Sequence, residues 1–267
     1  IAHLNADASV ATLALSTGTL SLGAKLSVTS TVNWTGGTLA GAGELSLPAA
    51  STLVLSGSGT KTLDGPTLRL AGTARWETGN LSAGSGSVIQ IEASGLWEIR
   101  NDANLYYNYN APTAILNNLG SIRKLSATGT TTFNTLSLIW NNQGLVDAQT
   151  GTLLFRINTS NTGSYTVAAG ATVEFAAGSH TNTATSSFTG AGTLVFSGGA
   201  SHHQGSYSVT GTTRIRGGTL VLASDATMGG ALDFSNGTLE IADSVTVAGA
   251  MNWTGGSLSG AGELSIP

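Results

Sequence analysis

Residues 32–48 read VNWTGGTLAGAGELSLP and residues 251–267 read MNWTGGSLSGAGELSIP, identical at 13 of 17 positions with a constant offset of 219. The match continues upstream without a gap, where Leu13, Gly18, Thr19 and Leu20 return as Leu232, Gly237, Thr238 and Leu239. Residues 1–48 thus repeat as residues 220–267. The chain reads as one long repeat plus the start of the next, the pattern of an array.

A shorter beat, Gly-x-apolar-x-apolar, runs inside that period. Gly18-Thr19-Leu20-Ser21-Leu22, Gly43-Glu44-Leu45-Ser46-Leu47 and Gly237-Thr238-Leu239-Glu240-Ile241 are examples. Each predicts a short strand opened by a turn residue, with alternate side chains facing inward. Paired segments then size the coil. Ile115–Gly120 resembles Ile139–Gly144 at a spacing of 24, Gly163-Ser164-Tyr165 resembles Gly205-Ser206-Tyr207 at 42, and Gly178-Ser179-His180 resembles Ala200-Ser201-His202 at 22. A coil of 20–24 residues fits all three. The expected fold is all-β: a right-handed parallel β-helix (β-solenoid) of about 12 coils, continuous over residues 1–267. One period holds about 10 coils and extends roughly 48 Å at the usual strand spacing.

Composition supports stacked strands and narrows the function. Charged residues are 9% of the chain, with 37 glycines and much Ser and Thr; ordinary soluble domains carry about 25% charge. Such a chain is poor in helix formers and rich in residues suited to pleated surfaces and turns. A net charge of −4 leaves no broad basic surface, so no nucleic-acid partner is expected. With no cysteine there are neither disulfides nor thiolate metal sites. No apolar run reaches the ~20 residues of a membrane span. Ile1 begins within a repeat, so any targeting segment is expected outside this stretch.

The order of segments resembles the long repeats of very large bacterial surface and secreted proteins, related in style to filamentous-haemagglutinin-like adhesins. The residues carrying the resemblance are Asn33-Trp34-Thr35-Gly36-Gly37, Leu39-x-Gly41-x-Gly43, Asn117-Asn118-x-Gly120, Asn141-Asn142-x-Gly144, Gly163-Ser164-Tyr165 and Gly190-Ala191-Gly192-Thr193-Leu194. The resemblance spans essentially the whole chain. It implies an elongated extracellular β-helical shaft and supplies no catalytic residue.

Four groups of residues invite a site. Asn117-Asn118 and Asn141-Asn142, one coil apart, are expected to form a structural ladder of stacked amides at successive turns. Trp34 and Trp253, in the same Asn-Trp-Thr-Gly-Gly setting, read as a repeat signature packed in the core. Residues 101–112 hold Tyr106, Tyr107, Asn108 and Tyr109, a mix common in recognition loops, and are expected to protrude as a loop that could contact glycan or protein. His180 and His202, with His203 beside the latter, are expected as a surface pair at a turn, one coil apart and short of a metal-ligand set.

Catalysis of the β-helix polysaccharide-lyase or hydrolase kind needs clustered carboxylates, whereas the 14 acids here are dispersed. Glu98, Arg100 and Asp102 alternate onto one face and read as a salt-bridged surface. A flat ice-binding lattice needs Thr at a fixed position in many coils, and Thr130-Thr131-Thr132 reads as local. The expected function is a non-catalytic structural shaft or filament segment of a large repetitive bacterial protein, secreted or at the cell surface. It uses no cofactor, and its partners are neighbouring repeats and other shafts joined end to end or side by side. The alternative is an adhesin module binding through the Tyr/Asn-rich loop; a polysaccharide-active enzyme is the minor one.

Overall fold

The computed structural model describes residues 1–108 and 111–267. All its regular elements are strands, and every strand pairing is parallel, giving a β-solenoid of about 13 turns. Each turn has three strand segments, and the segments stack into three faces. The first face starts at Thr12–Leu15 and runs through Thr31–Trp34, Thr52–Leu55 and Thr73–Trp76 to Glu263–Ser265. The second starts at Ala2–Leu4 and includes Thr19–Leu22, Asn104–Tyr107 and Thr172–Phe175. The third includes Glu44–Leu47, Val88–Ile91, Ala114–Asn118 and Ser179–Asn182. Long strands such as Lys25–Trp34 and Thr130–Asn142 bend round a corner and serve two faces.

Inward residues alternate with outward ones, as a period of two demands. The interior is aliphatic with tryptophan towards the N-terminal side, where Trp34, Trp76 and Trp97 are buried. From Phe133 onward it turns aromatic. Phe133, Phe155, Phe175 and Phe196 stack along the axis at centroid spacings of 5.0, 5.5 and 5.7 Å. Parallel in-register stacking puts like on like, so each ring meets the ring of the next coil close to strand-spacing distance.

The coil is more elastic than the expected 20–24 residues. Register partners Ala2 and Leu20 are 18 apart, whereas Leu105 and Phe133 are 28 apart. From Phe196 to Ile215 to Phe234 to Trp253 the spacing settles at 19. The turns absorb the variation. The tightest ones use a glycine column: Gly178, Gly199, Gly218, Gly237 and Gly256 all have φ between +68° and +98°. At Gly237 a Cβ would also lie 2.6 Å from the Gly218 carbonyl oxygen of the coil beneath, so both backbone shape and close approach require glycine there.

Candidate functional site

The asparagines form two ladders that run up the third face, one inside and one outside. Inside, Asn118 Nδ2 donates to Asn142 Oδ1 at 2.7 Å, Asn142 Nδ2 to Asn161 Oδ1 at 2.8 Å, and Asn161 Nδ2 to Asn182 Oδ1 at 3.1 Å. All four side chains are buried. Outside, Asn141 Nδ2 donates to Asn117 Oδ1 at 2.9 Å, and Asn117 Nδ2 to Gln90 Oε1 at 3.0 Å. The amides sit at strand ends and not within turns, and each bonds its axial neighbour because parallel pairing places identical side chains one strand spacing apart. Asn161 and Asn182 were missed in the sequence. The recurring Asn-x-Gly of Asn118, Asn142 and Asn161 was the signal for the first of them.

The same column is aliphatic before the ladder, as Leu47, Leu70 and Ile91, and after it, as Leu222 and Ile241. Between ladder and aliphatic run sits His203, paired with Asn182 on one side and Leu222 on the other. The histidines therefore depart from expectation. The register sets Ser179 opposite Ala200, a spacing of 21, so His180 pairs with Ser201 and His202 with Thr181. One residue of slip reverses every side chain. His180 and His203 consequently point into the core, fully buried on Phe175 and Phe188 at centroid distances of 4.8 Å, while His202 faces outward. Burial holds both imidazoles down to a pKa of about 4, so they are neutral at pH 7. Thr159 Oγ1 lies 3.0 Å from His180 Nδ1, and the Ser206 carbonyl 3.2 Å from His203 Nε2.

Two lysines also turn inward. Lys61 Nζ donates to the carbonyls of Gly57 and Thr78, both at 2.7 Å, and desolvation lowers its pKa. Lys124 Nζ donates to Asp102 Oδ1 at 2.9 Å, to the Asn101 carbonyl at 2.7 Å and to Thr131 Oγ1 at 2.9 Å. Asp102 is thereby drawn away from Glu98 and Arg100, which pair with each other at 2.9 Å. Glu98 also meets Arg75, and Arg69 joins Glu44 to Glu92. These carboxylates are occupied as rungs between coils.

The Tyr-rich stretch is only partly a loop. Asn104–Tyr107 is a strand of the second face, in register with Leu81–Ala83 below and Thr132–Asn134 above. Leu105 fills the core, and aromatic residues suit a strand well enough that the predicted loop over 101–112 is too wide. Tyr107 packs against the core edge, and its N–H donates to Thr135 Oγ1 at 3.3 Å. Tyr106 lies on the outward side of the strand and is half-buried, and Asn108 is exposed. Tyr109 lies outside the described residues. Close by in the fold, Leu136 is 56% exposed on a bulge of the strand Thr130–Asn142.

The threonines depart from expectation as well. Thr130 is not local: Thr130, Thr152, Thr172, Thr193 and Thr212 follow one another up the second face. The column beside it carries Leu154, Glu174, Val195 and Arg214, which break any uniform hydroxyl lattice there. Trp34 is buried, and Trp253, in the last turn of the sequence, stacks on Phe234 at 5.7 Å in the interior column of the second face. No family model, curated protein or solved structure matches the chain.

Proposed function

We propose that the chain is a segment of a non-catalytic shaft in a large repetitive bacterial surface or secreted protein, built from tandem copies of its 219-residue period. The observation that carries this reading is that both copies of the repeat take the same turn geometry. Gly18, Gly37 and Gly41 have φ of +72°, +84° and +94°, and their counterparts Gly237, Gly256 and Gly260 have +87°, +90° and +106°. A period that refolds into the same coils adds length by stacking, since each coil needs only its neighbours. Interior amide and aromatic rungs, and ion pairs on the outer surface, run along the axis, which is the direction a shaft must hold together.

A second reading is favoured by Tyr106 and the exposed Leu136 near it: an adhesive module that grips glycan or protein at this corner. Binding screens on glycan and protein arrays decide between the two. The shaft reading expects no ligand whose capture is lost in the Tyr106→Ala variant with its fold intact. Adhesion expects at least one such ligand, with avidity growing as periods are added.

A further inference from the structure

The period and the coil do not divide evenly. Leu15 and Trp34 lie on the first face, whose inward column continues through Leu55, Trp76, Ile99, Lys124 and Ala148. Their repeat counterparts Phe234 and Trp253 lie on the second face, at the end of the column of Phe133, Phe155, Phe175, Phe196 and Ile215. The other strands shift in the same sense. Gly37–Ala40 of the second face corresponds to residues 256–259 on the third, and Glu44–Leu47 of the third corresponds to residues 263–266 on the first. From Thr12–Leu15 to its counterpart the chain makes 31 strand steps, ten turns and one further face.

From this we infer that in a tandem array each successive repeat is turned by one face about the shaft axis, so that a given surface returns to the same side only at every third repeat. The inference rests on the tandem-shaft reading. It follows because the three faces are interchangeable to the repeat: the same Asn-Trp-Thr-Gly-Gly turn forms on leaving the first face at Trp34 and the second at Trp253. One period rises about 50 Å at ordinary strand spacing, so the same side recurs at about 150 Å. Any surface carried once per period, the Tyr106 corner included, winds round the shaft. A partner lying along one side, such as a second copy of the shaft, meets it at one period in three. A partner able to wrap meets every period.

Labelling tests this. The chain has no cysteine, and Ala93 is exposed at a turn. Three tandem copies of residues 16–234, each carrying Ala93→Cys, are labelled with gold and imaged by cryo-electron microscopy. The expected result is a single rod with its three labels on three different sides. A single rod with all labels on one side overturns the inference and leaves the shaft reading standing. Three separately oriented bodies sink the shaft reading and the inference with it. Labelling at Ser94→Cys repeats the measurement if the first variant fails to fold.

Discussion

One interior column of the third face is built in two ways within the same stack. Leu47, Leu70 and Ile91 fill it with hydrocarbon, whereas Asn118, Asn142, Asn161 and Asn182 fill the next four coils with amides joined along the axis. The backbone pairing is the same in both regions. The solenoid interior therefore tolerates either chemistry, provided that neighbours in the column agree. An aliphatic rung needs only shape; an amide rung needs an amide above or below to offset the cost of leaving water. The ladder also has a polarity: each Nδ2 donates toward the C-terminal coil, so Asn118 Oδ1 is left at its lower end without a hydrogen-bond partner.

Mixing the two regions gives the largest expected effect. Leu70→Asn places an amide between Leu47 and Ile91, with no partner in its column, and should cost about 4 kcal/mol of stability in denaturant unfolding. Ile91→Asn should cost less by about 1–2 kcal/mol, because its Nδ2 can donate to Asn118 Oδ1 and lengthen the ladder. Equal costs would contradict the polarity assigned to the ladder.

Interrupting the amide region comes next. Asn142→Leu removes the amide partner of Asn118 Nδ2, which keeps the Leu145 carbonyl at 3.1 Å, and that of Asn161 Oδ1, which keeps the Gly163 N–H at 3.1 Å, at about 2 kcal/mol. Converting all four ladder asparagines to Leu together should recover much of that loss, since no buried partner is then left behind. Thermal melts of the single and quadruple variants make the comparison.

The histidine at the junction, His203, and His180 in the last coil of the ladder add a pH term. His180 and His203 have pKa values lowered by burial to about 4, below the ~6.5 of an unfolded histidine. Between those values the unfolded chain binds protons that the native chain refuses. Stability should therefore be unaffected by these groups above about pH 6.5 and fall as the pH drops toward 4, by up to about 3 kcal/mol for each histidine. His203→Asn, which places an amide beside Asn182, should remove its share of that slope. An unchanged slope in the variant would show that the acid sensitivity lies elsewhere.

The smallest effect belongs to the outer surface. On the first face the outward column reads Arg75, Glu98, Arg123, Asp147 and then changes to Thr166, Thr189, Ser208, Thr227 and Thr246. Arg123→Ala breaks a part-exposed pair with Asp147 at 3.7 Å and should cost below about 1 kcal/mol, less at high salt. Thr189→Ala in the hydroxyl stretch should show no salt dependence.

The strands and the coiling were legible because Gly-x-apolar-x-apolar names a turn and two inward positions at once. Which residues face each other across coils was legible only where the spacing was right. At 24 residues the Asn117-Asn118 and Asn141-Asn142 pairs fell opposite one another, as similarity suggested. At the histidines similarity suggested 22 and the stack used 21, enough to move His180 into the core. Lys61 and Lys124 were illegible because a charged side chain gives no sign that backbone carbonyls await it inside. The Tyr-rich stretch misled through composition: Asn and Pro on either side hid the strand Asn104–Tyr107. The turn of one face per period needs a count of strand steps, which irregular coils of 18–28 residues conceal from the sequence.

The most direct test of the shaft is small-angle X-ray scattering on the present chain and on one lengthened by a further 219-residue period. A continuous shaft gives one rod of unchanged cross-section, longer by about 50 Å. Two bodies joined by a flexible link, or a widened cross-section without added length, would contradict it.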